Sequence, residues 1–386
     1  MTEGDRYATA ALPLRARLVR RIAAAGGLAD PRWRSAFDDV PRHLFVPVYH
    51  RPRSGGGFTR LSVDDPDPRA RARWLSGAYA DVPLVTLVRD GEPVSSSSQP
   101  SLMAAMLEAL RVEDGQRALE IGAGTGYNAA LLARRLGPEA VTTVDLDAEI
   151  TGAARAHLDA VGCPVAVVTG DGALGCPERA PYDRIVATCE LPSVPEAWPR
   201  QCRRGGLILA PFAAGLIALR VTGPERAEGR FLHTPAYFVS LRGTGAAPRR
   251  DGSGAPDGTG TGGRSRASDT PPRVLESELF RFLLGLYAGD ADVRWTPGGP
   301  TVTAADGSAA HAVREGTVLL TGPRDLWSAV EEAYALWCSE GQPPRDRFGM
   351  SVEDGRQWTW LDHPDGPHRW EVRPAPGAAG VSRGRS

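Results

Sequence analysis

Near the start of the chain, Leu14, Leu18 and Ile22 recur at helical spacing and predict an opening helix. The text then runs on to Val40-Pro41-Arg42-His43-Leu44-Phe45-Val46-Pro47. Residues 51–72 are rich in Arg, Gly, Pro and Asp and poor in apolar types, as an exposed insertion would be. From Pro100 to about Phe212 the pattern alternates. A helix near 101–111 precedes the apolar run Arg117-Ala118-Leu119-Glu120-Ile121. A helix over 127–136 follows, then a run at 140–144, a helix at 148–161 and a run at 164–169. Runs at 183–187 and 206–211 flank a short helix near 195–202. Strands alternating with helices of this length predict a parallel sheet with crossover helices, an α/β fold. Segments 214–221 and 231–242 read as a strand pair that closes the domain.

Beyond it the composition shifts. Residues 243–272 are almost entirely Gly, Ser, Thr, Pro, Asp and Arg, too polar to bury a core, and read as a disordered linker. Apolar periodicity returns over 273–372, with helices at 275–288 and 324–339 and short strands between, the pattern of a smaller α+β accessory domain. Trp358, Trp360 and Trp370 read as part of its core, and 373–386 as a frayed tail. The organisation expected is an N-terminal segment 1–99, an α/β domain 100–242, the linker 243–272, the accessory domain 273–372 and the tail.

Charge narrows the function. The 386 residues carry 45 basic and 46 acidic side chains, so the basic excess of a nucleic-acid binder is missing. All the basic residues are arginine. Schiff-base chemistry, a lysine general base and a phosphate-loop lysine are thereby excluded. Five cysteines without a C-x-x-C pair suggest free thiols in a reducing compartment. The histidines are scattered, so no metal site is expected. With no long apolar stretch, the expectation is a cytoplasmic protein without a membrane partner.

The strongest chemical signal is Leu119-Glu120-Ile121-Gly122-Ala123-Gly124-Thr125-Gly126, between a predicted strand and a predicted helix. Alternate glycines let the backbone turn tightly and approach a ligand, and the helix start behind them offers free N–H groups. Asp145, at the tip of the second strand in Val144-Asp145-Leu146-Asp147, is placed to accept ribose hydroxyls. Asp171 follows the third strand in Thr169-Gly170-Asp171-Gly172. A dinucleotide fingerprint needs glycine where Tyr127 stands. The set fits S-adenosylmethionine better, with Glu120, Gly122, Gly124, Thr125, Gly126, Tyr127, Asp145, Leu146, Asp171 and Gly172 as its contacts and S-adenosylhomocysteine as product.

A second signal is Val94-Ser95-Ser96-Ser97-Ser98-Gln99-Pro100-Ser101, which enters a helix directly. Hydroxyls and free N–H groups at a helix start suit an anion such as a carboxylate.

On these residues the chain resembles protein-L-isoaspartate O-methyltransferases over roughly 35–215. The matching segments are Val40-Pro41-Arg42-His43 through Phe45-Val46-Pro47, Ala78-Tyr79-Ala80-Asp81, Ser98-Gln99-Pro100, Leu119 to Tyr127, Gly170-Asp171-Gly172, Ala180-Pro181-Tyr182-Asp183 and Arg204-Gly205-Gly206. The resemblance implies a class I S-adenosylmethionine-dependent methyltransferase sheet, Rossmann-like, over 100–242, with a family-specific rearrangement at its C-terminal end and a substrate-side helical segment before it. It implies that Ser98 contacts the carboxylate to be methylated. Ser96 and Ser97 are candidate partners, and Tyr79, Gln99, Cys189 and Glu190 are candidate substrate contacts.

Three departures bear on the substrate. Residues 51–72 look inserted. Cys189-Glu190-Leu191 replaces a run of small residues after the fourth strand. The chain also continues far past the matching region, unlike housekeeping repair enzymes. This last feature resembles the tailoring enzymes of ribosomally made peptides, which methylate an aspartate so that the ester cyclises to succinimide (aspartimide). The expected activity is therefore carboxyl O-methylation of an Asp in a precursor peptide. Repair of isoaspartyl residues in damaged proteins is the alternative, and a catalytically silent cofactor-binding module is a reading of another class. The expected partner is a peptide or protein presenting an Asp or isoAsp carboxylate.

Overall fold

A computed structural model of the chain describes residues 5–243, 263–296, 298–314 and 316–372. The N-terminal part begins with α1 (Ala8–Ala24) and α2 (Pro31–Asp39). Leu18, Val19 and Ile22 bury the inner face of α1. Asp30 caps α2 by accepting from the Arg32 N–H, with Pro31 pre-set for the first turn. A hairpin of β1 (Val48–Pro52) and β2 (Phe58–Ser62), helix α3 (Pro68–Ala78), and strands β3 (Leu84–Arg89) and β4 (Glu92–Ser97) follow. These strands form a small antiparallel sheet in the order β2-β1-β3-β4. The segment 51–72, expected as an exposed insertion, is mostly exposed but carries regular structure, with the β1–β2 hairpin and the start of α3, and Ser62 within it is buried.

Helix α4 (Pro100–Ala109) leads into the α/β unit: β5 (Ala118–Ile121), α5 (Tyr127–Leu136), β6 (Val141–Asp145), α6 (Ala148–Ala160), β7 (Ala166–Thr169), β8 (Tyr182–Ala187), α7 (Ala197–Gln201) and β9 (Cys202–Phe212). Strands β5 to β9 are parallel in the order β7-β6-β5-β8-β9, and β5 is buried at every position because helices cover both faces. Their carboxyl ends share one edge, where open α/β sheets bind ligands. Strands β10 (Gly215–Gly223) and β11 (Arg226–Pro235) close the unit as an antiparallel meander off β9.

The C-terminal part contains β12 (Arg264–Ala267), α8 (Glu278–Ala288), β13 (Asp292–Thr296), β14 (Gly299–Thr303), β15 (Ala309–Arg314), β16 (Thr317–Thr321), α9 (Leu326–Ser339), β17 (Phe348–Glu353), β18 (Arg356–Leu361) and β19 (Arg369–Glu371). Strands β12 to β16 make a separate five-stranded sheet.

Two boundaries differ from expectation. Residues 263–272 are not linker: β12 pairs with β16, Arg266 forks across Asp325 and Glu331, and the buried Ser268 hydroxyl donates to Glu331 at 2.6 Å. Residues 244–262 of the expected linker, and the tail, lie outside the described residues. Nor is 273–372 a free-standing domain. Strand β17 pairs with β11, so the central sheet continues through β18 and β19 to ten strands, and Phe231 of β11 packs on Phe282 of α8 with centroids 4.8 Å apart. Of the three tryptophans, Trp360 is buried, and Trp370 packs on Tyr287 and Phe348. No helix among the described residues is long and apolar enough to cross a membrane.

Candidate active site

A cavity of about 700 Å³ opens where the carboxyl ends of β5, β6 and β8 meet β4 and the start of α4. The glycine loop forms its floor. Gly122, at φ +98°, stands so close to Thr188 that a Cβ there would lie 2.5 Å from the threonine Oγ1. A Cβ on Gly124 would come within 3.3 Å of the Ser96 carbonyl, so the glycine loop and the serine run touch backbone to backbone. His157 on α6 places its Nδ1 3.0 Å from the Thr125 carbonyl and braces the loop from behind. Burial lowers the pKa of that imidazole, which favours a neutral brace.

Three acids were expected here. Asp145 lines the cavity at the tip of β6; its Oδ2 accepts from the Gly124 N–H at 3.3 Å, and Arg242 stands 3.9 Å away. Glu120 also lines it. Its carboxyl is fully buried, accepting from Asn128 Nδ2 at 2.7 Å and Thr143 Oγ1 at 2.6 Å, and burial pushes it up to about 7 against those two hydrogen bonds. Asn128 Oδ1, beside it, is buried without a hydrogen-bond partner among the described residues. Asp171 is placed differently: it caps the turn 172–174 by accepting from the Ala173 N–H, and Gly172, not Asp171, reaches the wall. Gly126 likewise lies outside the lining. At φ +83°, with Ala154 O and Leu158 just beyond, its lack of a side chain lets α5 start against α6.

The serine run forms the opposite wall. As the end of a strand it alternates: Ser95 and Ser97 are buried, while Ser96 and Ser98 are half-buried. All four border the cavity, but Ser97 Oγ is taken up by Arg42, which donates to it from Nε and Nη2 at 3.4 Å. Arg42 is buried completely. It donates further to the carbonyls of Ala78, Ala80, Val82, Ser97 and Ser98 at 2.9–3.4 Å, and among the described residues it pairs with no carboxylate. Burial lowers it to about 10, so it stays charged at neutral pH directly behind the serine turn. The sequence showed Arg42 only as part of a motif; a charged residue inside an apolar run was the available signal. Asp81 occupies the start of α4, accepting from the Ser101 N–H at 2.9 Å, so part of the expected anion site is already filled.

Gln99 and Cys189 line the cavity as expected, Gln99 donating from Nε2 to Ser101 Oγ at 2.9 Å. Burial pushes the Cys189 thiol up to about 12. Tyr79 and Glu190 do not reach the lining. The Tyr79 hydroxyl lies 2.7 Å from His43 Nδ1, whose other nitrogen faces Asp5, in a buried chain behind the wall. Glu190 accepts from the Ala214 N–H, and its backbone pairs with Val239 and Leu241. That pairing lays residues 234–242 over the cavity as a strap, contributing Tyr237, Phe238, Val239 and Arg242 to its rim, residues that periodicity marked only as strand.

A family model described as Protein-L-isoaspartate(D-aspartate) O-methyltransferase (PCMT) matches residues 70–223. A Protein-L-isoaspartate O-methyltransferase of Methylorubrum populi is 36% identical over 237 residues, which are 60% of this chain and 97% of that one. One of Methanoregula boonei is 38% identical over 201 residues, 51% of this chain and 77% of the relative. A solved structure titled as a protein-L-isoaspartate O-methyltransferase aligns with a TM-score of 0.51 and 24% identity, over 88% of this chain and 96% of its own. That likeness of fold takes in C-terminal residues as well as the catalytic unit.

Proposed function

The chain belongs to the protein-L-isoaspartate O-methyltransferase family and is an S-adenosylmethionine-dependent protein carboxyl O-methyltransferase, and from that premise we propose that its acceptor is the isoaspartyl carboxylate of a protein or peptide. The residues suit the cofactor. The backbone of Gly122 and Gly124 would hold it where side chains do not fit, Asp145 would accept its ribose hydroxyls, and Asn128 Oδ1 offers an unused buried acceptor. When bound, it supplies a methyl group carried on a sulfonium.

The remaining work falls to the chain's own residues. A carboxylate with a reference pKa near 4 is already ionised at neutral pH, so no general base is needed. The Ser98 and Ser96 hydroxyls orient it by donating hydrogen bonds, and the buried Arg42 cation behind the turn favours an anion in front of it. Cys189 stays a neutral thiol and does not compete as a nucleophile. Such alignment of two reactants supplies roughly 7–11 kcal/mol of a barrier. The observation that carries the proposal is the approach of Ser96 to Gly124, which joins the carboxylate-orienting turn to the cofactor loop across one cavity. Incubation with methyl-labelled S-adenosylmethionine and an isoaspartyl peptide tests it: a base-labile ester supports the reading, and label absent from every isoaspartyl peptide refutes it.

A second reading draws support from the arginine-rich segment before the serine turn. The acceptor would then be an Asp in a ribosomally made precursor peptide, its ester closing to succinimide by attack of the next backbone nitrogen with loss of methanol. Mass analysis separates the two, because only this reading predicts methylation of an ordinary aspartyl peptide.

A further inference from the structure

A second cavity, of about 490 Å³, lies between the β1–β2 hairpin and α3, with Arg51, Thr59 and Leu61 on one side and Arg73 and Ser76 on the other. The register Arg51↔Thr59 and Tyr49↔Leu61 puts these hairpin side chains on the one face turned toward α3. The Tyr49 hydroxyl, donating to the Trp74 carbonyl at 2.9 Å, fixes that face to the helix. No acid lines the cavity. Arg51 has no ion-pair partner among the described residues, and Arg73 has only Asp67 at 4.0 Å. The surrounding segment 48–80 holds six arginines against three aspartates, in a chain whose net charge is -1. The hairpin also lies outside the residues that the family model matches.

The cavity borders the active site. Ala80 is in its lining, and the Ala80 carbonyl accepts from Arg42 Nη1 at 2.9 Å while Nη2 of the same guanidinium reaches the Ser98 carbonyl at 3.1 Å. The buried Arg42 side chain thus bonds to a lining residue of each cavity. We propose that the cleft between the hairpin and α3 is a docking site for an acidic stretch of the peptide substrate, its carboxylates held by Arg51 and Arg73, while another residue of the same peptide occupies the serine turn. The inference rests on the reading that the acceptor is a peptide. It assigns to the hairpin a preference for acidic sequence around the methylated residue.

The test uses the full chain and a fluorescein-labelled peptide of alternating aspartate and alanine, with an asparagine–alanine twin, neither containing isoaspartate. Anisotropy is expected to show the acidic peptide binding and its twin not. R51E/R73E should weaken binding about tenfold or more, as should about 1 M salt, where the screening length falls to roughly 3 Å. Both arginines are exposed, so the variant should keep the wild-type melting temperature. Equal binding of the two peptides, or binding indifferent to the charge reversal, overturns the site. Methyl labelling of an isoaspartyl peptide by the wild-type enzyme is scored separately and reports only on the proposed reaction.

Discussion

Replacing Arg42 by lysine keeps a cation behind the serine turn and removes the fork that holds the turn. Four of its contacts are short: to the carbonyls of Ala78, Ala80, Val82 and Ser98, at 2.9–3.2 Å, from two separate nitrogens. A single ammonium cannot reach acceptors arrayed around both ends of a guanidinium, so at least two buried carbonyls should lose their donor. At about 1–3 kcal/mol for each buried group left unpaired, R42K should cost on the order of 2–6 kcal/mol of stability. The loosened turn should also misplace Ser98, and small displacements of aligned reactants cost up to about 100-fold in rate. Denaturant unfolding gives the first quantity, and initial rates at saturating cofactor give the second. Cofactor affinity, measured by calorimetry, should change little, because Arg42 is not in the cavity lining. R42K with wild-type stability and rate would refute the role assigned to the fork. A variant that lost only cofactor affinity would show that the guanidinium supports the wrong wall.

The remaining predictions concern the lining itself. S98A should lower kcat by about 10- to 100-fold with cofactor affinity unchanged, whereas S97A, whose oxygen already serves Arg42, should keep kcat within about twofold and show its effect in melting temperature. D145N should weaken cofactor binding by about 10- to 100-fold, the worth of a hydrogen bond to a charged group, without lowering kcat at saturation. The rate at saturation should show no bell between about pH 6 and 9, because the acceptor is already ionised and Cys189 stays neutral; a bell-shaped profile would reveal a general base, whereas a single step near 7 would report Glu120 in the lining. Glu120 should leave a mark on stability. Its folded value, about 7, exceeds the ordinary 4.5, so the folded state binds the proton more tightly. The contribution of this one carboxyl should be full below pH 4.5 and fall by about 3 kcal/mol as pH rises to about 7, so the difference in urea-unfolding stability between wild type and E120Q should change over that range.

The sites legible from sequence are those in which local pattern and chemistry coincide. Strand, glycine loop and helix from Ala118 to Leu136 are contiguous, and Asp145 ends the next strand, so both could be placed without tertiary information. The serine run was read as an anion site at a helix start, but its alternation as a strand decides which hydroxyls are exposed. That period of two separates Ser98 from Ser97. Tyr79 and Glu190 stood in matching or suggestive segments, yet their neighbours are His43 and Ala214, remote in sequence and invisible to local pattern. The pairing of β11 with β17 joins residues more than a hundred apart, and it adds the last three strands of the expected accessory domain to the central sheet. Similarly, Arg266 and Ser268 look like linker until α9 supplies Glu331.

The most direct test is a crystal structure of the full chain with S-adenosylhomocysteine and an isoaspartyl peptide. The account predicts the free α-carboxylate of the isoaspartyl residue within about 3 Å of Ser98 Oγ, turned toward the sulfur above Gly124, with the ribose on Asp145. A peptide carboxylate seated on another wall, with Ser98 contacting solvent alone, would contradict it.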